Sequence, residues 1–183
     1  MHENTKNILP AYGPVKLFGG KPVHLSMQIT LVAIGKTDSK ELASLIEEYK
    51  KRLGFYVKFQ LVIIPDLKNS KNLSESQQKD KEGELILAQV ETSDTLVLLD
   101  EKGKQFTSIS FSQYLQKKMN SGLKRLVLVI GGPYGFSPAV YTRCNEKISL
   151  SSMTFSHQMV RLFAVEQLYR AFTILRNEPY HHQ

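Results

Sequence analysis

Arg125-Leu126-Val127-Leu128-Val129-Ile130-Gly131-Gly132-Pro133-Tyr134-Gly135 is the stretch that decides the fold of this chain. After one charged residue, Leu126 to Ile130 form an unbroken apolar run rich in β-branched side chains, which reads as a strand. A strand without polar alternation is covered on both faces, the usual condition in a parallel sheet. The run stops at a glycine pair, a proline and a third glycine, so the backbone turns sharply there and exposes its amides to whatever approaches.

Working outward, four more segments share that character. Met27 to Gly35 is a buried strand with a glycine stop, and Val57 to Ile64 is closed by Pro65-Asp66. Thr95 to Leu99 ends at Asp100-Glu101-Lys102-Gly103, and Lys147-Ile148-Ser149-Leu150 is a brief last strand. Helical spacing fills the gaps. Asp38 is expected to cap a helix through about Leu53, with Leu42, Leu45, Ile46, Tyr49 and Leu53 on its apolar stripe. Ser74 begins a second helix that carries Leu85, Ile86, Ala88 and Val90. Further helices are expected from about Ser110 to Asn120, near Pro138 to Cys144, and from about Ser156 to Arg176. Strands alternating with helices define an α/β fold, a mostly parallel sheet with helices on both faces. Such sheets bind ligands outside the carboxyl ends of their strands, here the segments after Leu99, Ile130 and Leu150.

Composition bounds the answer. Of 183 residues 42% are hydrophobic, enough to bury a core and incompatible with wholesale disorder. No apolar run reaches the roughly 18 residues of a membrane span, so no membrane partner is expected. The single cysteine, Cys144, excludes an intrachain disulfide framework and any multi-cysteine metal site, a pattern that suits a reducing, cytoplasmic compartment. Cys144 itself reads as a small buried residue in a helical pattern. Twenty-four basic and 17 acidic residues give a net charge of +7, which favours an anionic partner.

Residues 1–26 carry Pro10, Gly13, Pro14, Gly19, Gly20 and Pro22 and show no helical or strand period. They lack the continuous apolar core of a secretory signal. They read as a leader or non-native extension outside the fold, with a genuine N-terminal arm as the alternative, and residues 27–183 read as the domain. Removing them takes away three lysines and one glutamate, leaving 21 minus 16, or +5, on the domain.

Spacing alone says less about chemistry. The glycine cluster from Gly131 to Gly135 is neither a dinucleotide fingerprint nor a Walker loop, and by itself it is a tight turn. His157 and Arg161 lie four apart and share a helix face, as do Glu166 and Arg170. From His157 to Glu166 the helix rotates by about 900°, which puts the two pairs on roughly opposite sides. His157 is therefore the candidate for a site, and Glu166 with Arg170 reads as a structural ion pair or part of a subunit contact. In the tail, Tyr180, His181 and His182 make a poor metal site; they suit either base stacking and proton handling or a solvated end. Lys68, Lys71, Lys79 and Lys81 read as a solvated face. No metal is expected.

An ordered series of segments resembles a known family: MQITLVAIGK, DKEGELIL, TLVLLDEKGK, LVLVIGGPYGFS and ISLSSMTFSHQMVRLFAVEQLYRAFTILRNEPYH. From Met27 to the C-terminus the chain is similar to the RlmH family of small SPOUT-class methyltransferases of 23S ribosomal RNA. The resemblance implies S-adenosylmethionine-dependent methylation of N3 of a pseudouridine in assembled ribosomes, a homodimer, and a trefoil knot in the C-terminal part. It implies cofactor binding by Leu99, Gly131, Gly132, Ser151, Ser152, Met153, Thr154, Phe155 and Ser156. Ser156 stands where relatives commonly have proline, leaving the loop less rigid. His157, His181 and Tyr180 become candidates for base handling and stacking, and Arg161 for electrostatic support. The tail is expected to reach the partner's site across the dimer.

Three rival readings remain open at this level. One is a catalytically silent ribosome-binding factor of the same fold, and another is a methyltransferase of the same class acting on a different RNA. The third, a nicotinamide dehydrogenase, is weakest, because no GxGxxG follows the first strand.

Overall fold

The computed structural model describes residues 27–68 and 70–181; residues 1–26, His182 and the expectations attached to them lie outside it. Among the described residues five strands, β1 (Gln28–Ile34), β2 (Lys58–Ile64), β3 (Thr95–Gln105), β4 (Arg125–Ile130) and β5 (Glu146–Ser149), pair side by side in the order β2-β1-β4-β3-β5. Every pairing is parallel. Five α-helices connect them: α1 (Lys40–Leu53), α2 (Glu75–Leu87), α3 (Ser108–Asn120), α4 (Pro138–Arg143) and α5 (His157–Leu175).

The two-residue period of the strands sorts their side chains into two cores. Leu126, Leu128 and Ile130 join Ile29, Leu31 and Ala33 on one face, under Ile46 and Leu53 of α1, Phe111 and Leu115 of α3, and Val165, Leu168 and Phe172 of α5. Val127 and Val129 join Val32, Leu96 and Leu98 on the other, under Ile86 of α2 and Val140 of α4. All of these strand residues are at most 2% exposed except Ile130, at 3%. A continuous apolar run in β4 is thus what a strand with helices on both sides requires.

Local signals set the helix starts. Ser74 and Thr107 both close capping boxes, with Gln77 and Ser110 as the returning side chains. At α1 the cap is Ser39 rather than Asp38: Ser39 Oγ accepts from Leu42 N at 3.1 Å, and Asp38 is taken by Gln158 of α5. The larger departure is β3, which runs on to Gln105 instead of stopping at Asp100. The strand shifts register between Leu99 and Lys104 and then pairs again with Ile148 and Ser149 of β5. Gly103 makes this possible, because a Cβ there would meet the backbone of Ile148. Cys144 ends up half-buried, just past the last turn of α4 rather than within it.

Candidate functional site

The carboxyl ends of β3, β4 and β5 and the first turns of α5 enclose a cavity of about 700 Å³, within the range of cofactor and small-molecule sites. Its wall is built from the three segments that follow Leu99, Ile130 and Ser149. The topology brings them together because β3 lies between β4 and β5 in the sheet.

Each wall has a local cause. After β4, Gly132 and Gly135 bracket a tight turn, with Gly135 N donating to Gly132 O at 3.1 Å and Pro133 at the position that favours its fixed φ. Gly132 also gives room to a neighbour: a Cβ there would meet the Glu82 carboxylate of α2. After β5, Ser149 Oγ donates to Ser151 O at 2.8 Å and Met153 N donates to Ser151 Oγ at 2.9 Å, which curls the loop back on itself. Ser156 caps α5, accepting from Met159 N at 3.3 Å. Its φ of −62° is the value a proline ring would fix. Serine therefore reaches the same conformation through a capping bond.

Among the residues expected to hold a cofactor, Leu99, Gly131, Gly132, Ser151, Met153, Thr154, Phe155 and Ser156 all line the cavity; Ser152 is not in its wall. His157 lines it too. Arg161, Tyr180 and His181 do not. Arg161 is fully buried, donating to Ile34 O at 2.6 Å and Thr37 Oγ1 at 3.0 Å, so its guanidinium ties α5 to the carboxyl end of β1. Desolvation by burial holds that guanidinium below its usual basicity, partly offset by Asp66 and Asp38.

Tyr180 and His181 sit at the other end of α5. Tyr180 Oη donates to Glu166 Oε1 at 3.0 Å and lies 3.1 Å from Tyr49 Oη, while Arg170 stacks over its ring at 4.7 Å. Burial, with Tyr49 and Glu166, pushes the Tyr180 phenol up. His181 Nδ1 lies 3.5 Å from an Arg170 nitrogen. Glu166 and Arg170 form the expected ion pair, with Arg170 Nε 3.0 Å from Glu166 Oε1. Tyr180 is thus packed against Tyr49 of α1 and Glu166 of α5, and His181 lies beside Arg170 of α5.

Sequence reasoning missed several wall residues. Asp100 accepts from Tyr141 Oη at 2.6 Å and from Lys102 N at 2.8 Å, and both Asp100 and Tyr141 face the cavity. Burial and the Asp100 carboxylate push the Tyr141 phenol up to about 12. The signal for Asp100 was its place just beyond Leu99, where parallel sheets put their ligands. Lys79 of α2 also reaches the wall, although its stretch reads as a solvated face; nothing in the local pattern marks it. Among the described residues no group of three or more His, Cys, Asp or Glu side chains is placed to hold a metal ion. No helix of the described residues is long and apolar enough to cross a membrane.

A parallel sheet with a ligand cavity at three adjacent carboxyl ends is the setting in which the family comparison falls. The family model described as Predicted SPOUT methyltransferase matches residues 27–181, and the chain belongs to that family. More particularly, over 157 residues, or 86% of this chain and the whole of each relative, it is similar to proteins named Ribosomal RNA large subunit methyltransferase H. The identities are 70% in Christiangramia forsetii, 69% in Flavobacterium johnsoniae and 57% in Porphyromonas gingivalis.

Proposed function

We propose that this protein is an S-adenosylmethionine-dependent methyltransferase that acts in the cytoplasm on N3 of a pseudouridine in the 23S RNA of assembled ribosomes. The observation that carries the reading is the cavity: in a SPOUT-family chain, eight of the nine residues expected to hold the cofactor converge on one space of about 700 Å³. Named relatives up to 70% identical along their full length supply the substrate class.

The donor set fits the cofactor. Leu99, Ile130, Leu150 and Val160 offer apolar surface for a flat aromatic base, and Ser149, Ser151 and Thr154 offer hydroxyls for polar groups. Gly131 and Gly132 present their backbone in the wall. When bound, the cofactor would supply a methyl group already activated on a sulfonium.

The protein's task is then to orient the acceptor and manage its proton. N3 of pseudouridine carries a proton and becomes a nucleophile when that proton leaves, so a base must stand at the cavity mouth. His157, at the first turn of α5, is in the wall and takes that role. Arg161 supports it indirectly by locking this end of α5 onto β1. Tyr180 and His181 lie away from the cavity of their own chain, so a role in the site of a second copy within a homodimer requires Tyr180 to leave Glu166 and Tyr49. The C-terminal threading expected of the family would bring the turns around one bent ligand. The +5 charge of residues 27–183 serves phosphate contacts on a folded ribosomal surface, so binding weakens as salt rises.

The test is incubation with labelled methyl donor and assembled ribosomes, free large-subunit RNA or transfer RNA, followed by nucleoside mass spectrometry. Methylated pseudouridine only from ribosomes is the expected result; a label in transfer RNA, or in none, overturns the reading. Mixed dimers with a cavity-loop substitution in one copy and a truncated tail in the other test sharing. Activity no higher than in either parent removes the cross-dimer role of the tail.

A further inference from the structure

Directly behind the cavity wall lies a buried carboxyl with an open oxygen. Glu82 of α2 is 3% exposed; Gln78 Nε2 donates to its Oε1 at 2.8 Å, and Oε2 has no hydrogen-bond partner. Buried polar atoms are nearly always paired, so an orphaned carboxyl oxygen needs a reason. The carboxyl rests against Gly132, where a Cβ would run into its unpaired Oε2. Gly132 in turn lines the cavity, so the Glu82 carboxyl packs against a residue of the cavity wall. Burial is the chief cause that pushes the Glu82 carboxyl up; the Gln78 hydrogen bond pulls it down, Asp66 raises it and His157 lowers it.

We infer that Glu82 is a charge-sensing positioning residue that makes this cavity prefer a cationic methyl donor over its neutral demethylated product. The inference rests on the S-adenosylmethionine reading of the cavity. Donor and product share the same nucleoside and amino-acid parts, so contacts to those parts cancel when the two are compared. They differ by the methyl group and by the positive charge on sulfur. A carboxylate held out of water behind the cavity wall interacts with that charge more strongly than a solvated one does. A cation in the cavity favours the ionised carboxyl, so donor binding shifts Glu82 toward its ionised form and product binding does not. The same preference helps release the product after each methyl transfer. Glu82 needs no contact with the reacting atoms for this, which is why it is a positioning residue.

Isothermal titration calorimetry of the full chain with S-adenosylmethionine and S-adenosylhomocysteine, from about pH 5.5 to 8 in buffers of different ionisation enthalpy, reads the effect directly. In the wild-type chain the donor-to-product affinity ratio rises with pH, and only donor binding releases a proton. Glu82→Gln keeps the shape of the side chain, lowers that ratio by about tenfold, equivalent to ~1.4 kcal/mol, and flattens its pH dependence. An unchanged ratio, or equal loss of both ligands, shows that Glu82 only shapes the loop and overturns the inference. A pH dependence that survives in Glu82→Gln belongs to Asp66 or His157 and overturns it as well. Should the variant fail to fold, equal proton release with both ligands in the wild-type chain is enough to overturn it. Binding of neither ligand by the wild-type chain is a different failure: it removes the reading of the cavity, and this inference falls with it.

Discussion

The two ends of α5 are built on opposite plans. At its N-terminal end, Ser156, His157 and Val160 face a cavity beside a loop whose Met153 is 72% exposed. At its C-terminal half, Glu166, Arg170, Tyr180 and Tyr49 satisfy one another, and Tyr169 meets Tyr180 edge-on at 4.8 Å. One end leaves polar groups open and the other closes them. Where side chains saturate each other they hold the fold; where they stay open, a ligand supplies the missing partners. Glu166, the acceptor of Tyr180, is nine positions from His157 (166 minus 157), about 14 Å along the helix axis. One chain therefore cannot bring its tail to its own cavity while this packing holds.

Substitutions at each end break the comparison in different ways. The largest effect is expected at the open end, from Gly132→Ala. The new methyl meets the buried Glu82 carboxyl, so the carboxyl or the loop has to move; where the loop gives way, misplacement by about 1 Å is enough to cost on the order of 100-fold in turnover. Methyl incorporation into ribosomes measures it, and near wild-type turnover would show that close approach at Gly132 does not shape the cavity.

Next comes Arg161→Met, at the residue that anchors the cavity end of α5. It strips Ile34 O and Thr37 Oγ1 of their donor in a fully buried place, with an expected loss of about 2 kcal/mol in urea unfolding. A loss within experimental error would show that another group anchors α5 to β1. At the closed end, Glu166→Gln removes the charge that Arg170 and Tyr180 share. A destabilisation of about 1 kcal/mol is expected, with non-additivity against Arg170→Met in a double-mutant cycle; simple additivity would mean that the cluster is not one unit.

The smallest effect concerns alkaline pH. The Tyr141 phenol, pushed up to about 12, keeps its proton in the folded chain after the unfolded chain has lost it near ~10. The unfolded state then binds fewer protons, so stability falls as pH rises through that window. Tyr56, Tyr114 and Tyr180 are pushed up as well, chiefly by burial, and act in the same direction. Tyr141→Phe removes one share of the decline in thermal midpoint above pH ~10, and an unaltered slope would contradict its raised value.

Much of this architecture is legible in the residues themselves. The apolar runs at Ile29–Ile34 and Leu126–Ile130 mark covered strands, and Ser74 marks a helix start. The misreadings share a cause. The chain at Asp100-Glu101-Lys102-Gly103 looks like a turn because its side chains are polar and one is glycine. It continues as a strand because the backbone of β5 lies alongside it. Asp38 looks like a cap until Gln158, 120 residues away, claims it. The tail looks frayed until Tyr180 finds Tyr49.

By itself the sequence determined the strand–helix alternation, the two-faced sheet, the glycine turn after β4 and the family, because each is written in local spacing and residue type. Only the tertiary structure decided which polar residues share a space. It put Asp100, Lys79, Tyr141 and His157 around one cavity, hid Arg161 beneath it, set Glu82 behind Gly132, and closed the tail against the far half of α5. The physical reason is that the order β2-β1-β4-β3-β5 makes neighbours of segments far apart in the chain, and no local pattern encodes which side chains will meet there.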